Sequence, residues 1–371
     1  MLQPQWFCSV LEKYDLNFYT GVPDSLLQYL CEYIQEKYPH KHLIVSNEGA
    51  AIGLAAGYHL ATKKPAVVYM QNSGIGNAIN PLLSLADPDV YSIPMLLIIG
   101  WRGRPGVKDE PQHKKQGRIQ EELINTLGYK YCILNTNSDV AEKQISSLIY
   151  EMYKNNTPVV LMVKENTFDK YQMIKSNEHN FEMQREDALK ILLESIGTES
   201  RVVATTGKTS REIYEIREAF GQNHSYDFLT VGSMGHALII AMGLANFQNR
   251  KVFCIDGDGA LLMHMGSFGI AAQFGSENLF HILINNGVHD SVGGQPTIGF
   301  KIPFYDIAAK LGYKFSVRVK SAEELKTAIQ KIKAQKGPGF LEILVKQGSR
   351  ADLGRPKSSP IENKINFMDN L

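Results

Sequence analysis

The segment Ile255–Ser291, IDGDGALLMHMGSFGIAAQFGSENLFHILINNGVHDS, constrains the fold more than any other stretch of the chain. One apolar run, Lys251–Asp256, breaks at Gly257-Asp258-Gly259, and a second, Phe280–Asn285, breaks at Asn285-Asn286. Asp258 and Asn286 stand 28 residues apart, with about one helix length of sequence between the two runs. Two short strands joined by such a crossover are parallel neighbours. Parallel neighbours end on the same edge of their sheet, so the acidic turn and the amide turn belong together on the edge where ligands of such sheets bind.

The same alternation runs through the whole chain. In the first half, strand-like runs fall at Asn17–Gly21, Leu43–Ser46, Ala66–Met70 and Pro94–Gly100. Between them lie helix-like stretches such as LLQYLCEYIQEKY, GAAIGLAAGYHLAT and NPLLSLADP. In the second half, Val202–Thr206 and Phe340–Val345 join the two runs already named. Short continuous apolar strands bounded by turn residues predict an α/β fold, with parallel sheets covered by helices on both faces. The polar, weakly periodic stretch 167–187 reads as a linker between residues 1–166 and residues 188–371. A hydrophobic fraction of 44% supplies material for two cores. The tail from Gly348 is polar and is expected to contribute little core.

Several functional classes are disfavoured. The formal net charge is +1, which gives no basis for nucleic-acid or membrane-surface binding. No apolar run approaches a membrane span, and the N-terminus lacks a basic stretch followed by an apolar one, so the chain is expected in the cytoplasm. Cys8, Cys31, Cys132 and Cys254 form no CxxC pair, which argues against a zinc site. The GKT of Thr205–Thr209 is not a P-loop, because Val202 stands where the first glycine is needed.

Asp258 offers a carboxylate, Asn286 an amide oxygen, and the chain just beyond a backbone carbonyl. Hard oxygen ligands of this kind, completed by water and phosphate oxygens, suit Mg²⁺. Gly257 and Gly259 let the backbone approach a diphosphate closely.

On these residues the chain resembles thiamin-diphosphate-dependent enzymes, whose Gly-Asp-Gly to Asn-Asn signature it carries. The resemblance implies two thiamin-diphosphate-binding-type domains: a pyrimidine-binding domain over 1–166 and a diphosphate-binding domain over 188–371. It implies thiamin diphosphate and Mg²⁺ as cofactors, with Asp258, Asn286 and the Val288 carbonyl as metal ligands; Asn285 stands as a substitute for Asn286. Glu48, in SNEGAAIGLAAGYHLA, takes the place of the acid that activates the aminopyrimidine, although a first-turn glutamate also suits a helix dipole. Gly232-Ser233-Met234 resembles the loop supporting the bent cofactor, and Thr206, Gly207, Lys208 and Thr209 the loop contacting the diphosphate.

Within that family the compact two-domain arrangement resembles the phosphonopyruvate and sulfopyruvate decarboxylases. The carriers are GVPDSLL, NEGAAIGLAAGYHLAT, the long stretch Tyr69–Gly103, DEPQHKKQGR and GSMGHALIIAMGLA. The resemblance implies decarboxylation of 3-phosphonopyruvate to phosphonoacetaldehyde in phosphonate (2-aminoethylphosphonate) biosynthesis, with sulfopyruvate decarboxylation or carboligation as alternatives. It also implies a homodimer or larger homo-oligomer with active sites between subunits.

A doubly anionic substrate needs cations and oriented donors. Residues 102–118 read as a loop beyond a strand, with Arg102, Arg104, Lys108, Lys114, Lys115 and Arg118. Among these, Arg118 is a candidate substrate ligand, and His113 a candidate for substrate binding or proton transfer. Asp24 and Ser25 face the substrate or cap the following helix. His289 and Ser291 line the same pocket in this reading, under a cover at Gly293-Gly294-Gln295.

Overall fold

The apolar runs form the central strands of two parallel sheets in the computed structural model, which describes residues 1–173, 179 and 181–371. The chain separates into two units, Met1–Lys175 and Ser176–Leu371.

In the first unit the strands are β1 (Tyr19–Gly21), β2 (His42–Ile44), β3 (Ala66–Gln71), β4 (Met95–Gly100), β5 (Tyr131–Ile133) and β6 (Val159–Val163). They lie in the order β2-β1-β3-β4-β6-β5, all parallel. Successive side chains alternate between faces. Val67, Tyr69, Leu96, Ile98 and Leu161 pack with Phe7, Leu30 and Ile145 on one side; Val68, Met70, Leu97, Ile99 and Met162 pack with Ala51, Ile75 and Ile124 on the other. Both faces are therefore covered by helices, and this is why the strands read as unbroken apolar runs.

The second unit contains β7 (Arg201–Ala204), β8 (Asp227–Leu229), β9 (Val252–Gly257), β10 (Leu279–Asn285), a hairpin of β11 (Val288–His289) and β12 (Gln295–Pro296), then β13 (Phe315–Val319) and β14 (Gly339–Leu344). The sheet order is β13-β14-β10-β9-β7-β8, again all parallel. Counted from its own first strand, each sheet follows the same path, with the second strand outermost on one side and the fifth outermost on the other. In each, the direction of travel reverses between the first and third strands, and the crevice at that reversal is where such sheets bind ligands.

One expectation needs revision, and two others gain detail. The tail contributes little core, as its polarity predicts, but its helix Pro360–Met368 buries Phe367 and Asn363. Asn363 accepts from Leu229 N at 3.2 Å and donates to the Asp227 carbonyl at 2.9 Å, so it occupies backbone groups of the edge strand β8 that would otherwise be open. The stretch 102–118 is a loop only to Glu110; a helix runs Pro111–Thr126, with proline at its start. The proposed linker is ordered at both ends. Leu2 N donates to the Thr167 carbonyl at 2.8 Å, and a capping box at Gln184 and Asp187 opens the helix Arg185–Ile196. Its middle, residues 174–178 and 180, lies outside the described residues.

Strand β8 is held from the other side by a buried ion pair. Arg217 donates from Nε and Nη2 to Asp227, both at 3.0 Å, and both side chains are fully buried. Removing one member of such a pair leaves an uncompensated charge. Arg217→Leu is therefore expected to destabilise the second unit by about 3–5 kcal/mol, read as a lower midpoint in urea unfolding followed by circular dichroism.

Candidate active site

In the second unit, four strand ends meet on the carboxyl edge. After β7, Thr206 donates through its hydroxyl to the Val231 carbonyl at 2.7 Å, tying this turn to the loop after β8. Gly207 has φ +92° and caps the helix Lys208–Ala219. A Cβ there would stand 2.8 Å from Ser291 Oγ, so the β7 turn and the segment after β10 are in contact. Lys208 is half-buried; burial pushes its ammonium down from the usual lysine range, partly offset by the nearby Asp290 carboxylate. The start of this helix presents backbone N–H groups from Gly207 to Thr209, an arrangement suited to an anion.

The loop after β8 turns sharply at Ser233 and Gly235, with φ +54° and +85°. Met234 reaches over Gly259: a Cβ on that glycine would stand 3.4 Å from Met234 Cε and 2.9 Å from His289 Cε1. Only a glycine leaves this crevice open between the two side chains. His289 is half-buried, and burial pushes its imidazole down to about 4, so the ring is neutral at pH 7.

Asp258 follows β9 and is 2% exposed. Burial pushes its carboxyl up to about 6. What opposes burial is the Thr297 hydroxyl, which donates to Oδ2, and backbone N–H groups that include that of Asn286; no cation among the described residues takes part. The two adjacent asparagines differ in where their NH2 groups donate, while each side-chain oxygen accepts one contact at 3.2 Å. Asn285 donates to the Gly299 carbonyl at 3.0 Å and to Glu342 at 2.8 Å, while its Oδ1 accepts from Gly287 N at 3.2 Å. Asn286 donates to Asp290 at 2.8 Å, and its Oδ1 accepts a single long contact, from Val288 N at 3.2 Å. A buried carboxylate without a cation, beside an amide oxygen with spare capacity and a glycine-lined approach, fits a hard divalent ion bound with a diphosphate. Asp290, which orients Asn286, is itself paired with buried Arg185 at 2.9 Å.

Cys254, Asp256 and His281 also bring ligand-type atoms within 4.8 Å of one another. All three are buried inside the sheet, with the His281 ring against Phe268 and Phe340. Asp256 Oδ1 accepts from Gly257 N at 2.9 Å, so this group steadies the strand end that presents Asp258.

In the first unit, Glu48 opens the helix Glu48–Thr62, whose cap is the Asn47 side chain accepting from Ala50 N at 2.8 Å. Glu48 is 4% exposed, and burial pushes its carboxyl above the usual carboxylate range. The Asn77 amide donates to Oε2 at 2.8 Å and opposes that shift. A Cβ at Gly74 would stand 2.2 Å from Oε1, so glycine is what allows the carboxyl to sit where it does. This is a protonatable acid in an apolar surround, not a solvated first-turn glutamate.

The remaining candidates divide. Asp24 is fully buried; its carboxylate accepts from Leu26 N at 3.0 Å and from Gln71 at 2.7 Å, which is the capping role. Ser25 accepts from Arg102 at 2.8 Å. Arg102 is committed to Asp109 through Nε at 2.8 Å and Nη2 at 2.5 Å, and Arg104 to Glu165 at 2.6 Å, so the strongest part of the expected cationic loop is already neutralised. Arg118 lies on the exposed side of its helix. His113 is buried on the opposite side, with burial and Arg102 pushing its imidazole down to about 4.

Asn77, Gly74, Thr297 and Gly299 are neighbours of the candidate acids that the sequence reading passed over. A Cβ at Gly299 would stand 2.5 Å from Asp258 Oδ2, so the segment after the hairpin closes over this carboxylate. Gly293-Gly294 gave the signal for such a cover, and the structure makes it the turn of the hairpin, with φ +126° and +76°.

Comparison with known proteins agrees with this geometry. Residues 4–129 match the thiamine pyrophosphate enzyme N-terminal TPP binding domain, and residues 205–343 the C-terminal TPP binding domain. The chain is 33% identical over 364 residues to a phosphonopyruvate decarboxylase of Streptomyces hygroscopicus, covering 94% of this chain and 89% of that one. It is 32% identical to another from Streptomyces viridochromogenes, over 92% of this chain and 88% of that one. A sulfopyruvate decarboxylase of Methanosarcina acetivorans is 24% identical over 98% of this chain and 96% of its own length. Two α/β units, each with a buried carboxyl group on its ligand edge, and near-full-length likeness together place this chain in the phosphonopyruvate decarboxylase family of thiamin-diphosphate-dependent enzymes.

Proposed function

We propose that this chain uses thiamin diphosphate and Mg²⁺ to convert 3-phosphonopyruvate to phosphonoacetaldehyde and carbon dioxide, as a cytoplasmic step of phosphonate biosynthesis. The observation that carries the cofactor chemistry is the buried Asp258 carboxylate with no cationic partner beside Asn286. The substrate rests on the two phosphonopyruvate decarboxylases that match along nearly their whole length.

In this reading Asp258, the Asn286 amide oxygen and the Val288 carbonyl hold the metal. Asn286 is taken before Asn285 on the family signature, since each side-chain oxygen accepts one backbone contact at 3.2 Å. Thr206, Gly207, Lys208 and Thr209 receive the diphosphate at a helix start. Gly232, Ser233 and Met234 support the rings, with Gly257 and Gly259 leaving room beneath. When bound, the cofactor supplies a carbon nucleophile that also accepts the electron pair left by decarboxylation. Glu48 hydrogen-bonds the aminopyrimidine as a buried acid. His113 and His289 are neutral at pH 7 and can pass or orient protons without adding charge. Substrate anions are left to neutral donors, Ser25 and Ser291 among them, and to Arg118. A homodimer or larger homo-oligomer is expected, read as particle mass by light scattering.

The likeness to the Methanosarcina protein favours sulfopyruvate as the second reading. Carbon dioxide release from phosphonopyruvate, sulfopyruvate and pyruvate, measured in parallel with and without both cofactors, separates them. Release from phosphonopyruvate only when both cofactors are present is the expected result; release only from another acid overturns the substrate, and a burst of ligated product without aldehyde overturns the decarboxylase.

Glu48→Gln is expected to retain thiamin diphosphate binding while turnover falls by roughly 100-fold or more, the scale of lost acid–base catalysis. Full activity in that variant would remove Glu48 from the mechanism. Asp258→Asn is expected to weaken Mg²⁺-dependent cofactor binding, measured by calorimetry, beyond the roughly 10–100-fold typical of outer-shell changes.

A further inference from the structure

Gln295 is 1% exposed, yet neither its side-chain nitrogen nor its side-chain oxygen has a hydrogen-bond partner among the described residues. A buried amide left unpaired is costly. Such a group calls for an explanation, and a role in binding or catalysis is one. Its position says what that is. Gln295 pairs directly with His289 across the antiparallel hairpin, and residues opposite each other in such a pair share a face. The His289 ring on that face lies over Gly259 next to Met234. Two residues further along the same strap, Thr297 donates to Asp258, a spacing of roughly 7 Å along an extended chain. The strap therefore sets its hydroxyl on the metal end of the site and its amide toward the Met234 end.

We propose that the Gln295 amide seats the carboxylate that the substrate loses. This rests on the decarboxylase reading above. In the reaction the bond between the carboxylate carbon and the former keto carbon breaks. Its electron pair stays on the keto carbon, and the carboxylate departs as neutral carbon dioxide. A cation at this seat would hold the ground-state charge and oppose its loss. A neutral amide orients the group while adding little ground-state stabilisation. The anionic tail of the substrate binds elsewhere.

The test is Gln295→Met, which keeps the length of the side chain and removes only its polarity. Removing an unpaired buried amide should leave the thermal midpoint unchanged or raise it, whereas loss of a structural contact would lower it. The variant should still bind thiamin diphosphate, and kcat/KM for the active acid should fall roughly 10- to 100-fold, the scale of a lost orienting contact. The aldehyde product lacks the carboxylate, so its inhibition constant should be unchanged. A lowered midpoint, an unchanged kcat/KM, or a product inhibition constant that shifts by the same factor each overturns the proposal. Gln295→Lys gives an independent arm: tighter binding of the acid with a lower kcat supports the seat, and an unaltered KM contradicts it. Wild-type protein in the same assay separates the two levels of inference, since a wild type with no turnover on any of the three acids contradicts the decarboxylase reading itself.

Discussion

A carboxylate buried without a cation is the constraint around which the second unit is arranged. Asp258 is raised to about 6 by burial, and only a hydroxyl and backbone N–H groups oppose the shift. A protein core could lower this cost by placing arginine nearby, as it does for Asp227 with Arg217 and for Glu212 with Arg185. At Asp258 it does not. In the proposed reading the cation that completes the site comes from outside the chain, and the surrounding features suit that role. Glycines at 259 and 299 keep the approach narrow but open. Asp290, fixed by Arg185, orients the Asn286 amide. Asp256 fastens the strand end from below.

The first unit repeats the strategy with a different purpose. Its sheet has the same strand order, and Glu48 is again a buried carboxyl without a cation, held by one amide and admitted by one glycine. Here burial favours a proton instead of a metal. A carboxyl that is easily protonated can donate a hydrogen bond to a ring nitrogen, which a solvated glutamate at neutral pH cannot do. One strand order thus carries two kinds of acid, distinguished by their neighbours: the Thr297 hydroxyl and backbone N–H groups on Asp258, the Asn77 amide on Glu48.

Much of this was legible before the structure. Apolar runs bounded by glycine and asparagine marked the central strands, because a strand covered on both faces has no polar side to hide. The edge strands β5, β8 and β13 escaped notice, being short or partly exposed, and so did one inner strand, β6, although it is apolar and fully buried. The carboxylates at 48 and 258 stood out because each ends a strand. Their partners did not, since Asn77 and Thr297 lie 29 and 39 residues away in sequence and are brought in only by packing. Charge was the least readable quantity. Arg102 and Arg104 look free in the sequence, but Asp109 and Glu165 are close enough in space to take them. Asn363 shows the same limit, being an unremarked polar residue in a polar tail until it is seen bonded to the edge of β8.

The position of the metal tests the assignment of Asp258 and Asn286 most directly. Crystals grown with thiamin diphosphate and Mn²⁺ in place of Mg²⁺, measured at the manganese absorption edge, locate it directly. One anomalous peak is predicted within bonding distance of the Asp258 carboxylate and the Asn286 amide oxygen, with the diphosphate completing the shell. A peak coordinated by Asn285, or by Cys254, Asp256 and His281, or a bound cofactor with no metal at Asp258, would contradict it.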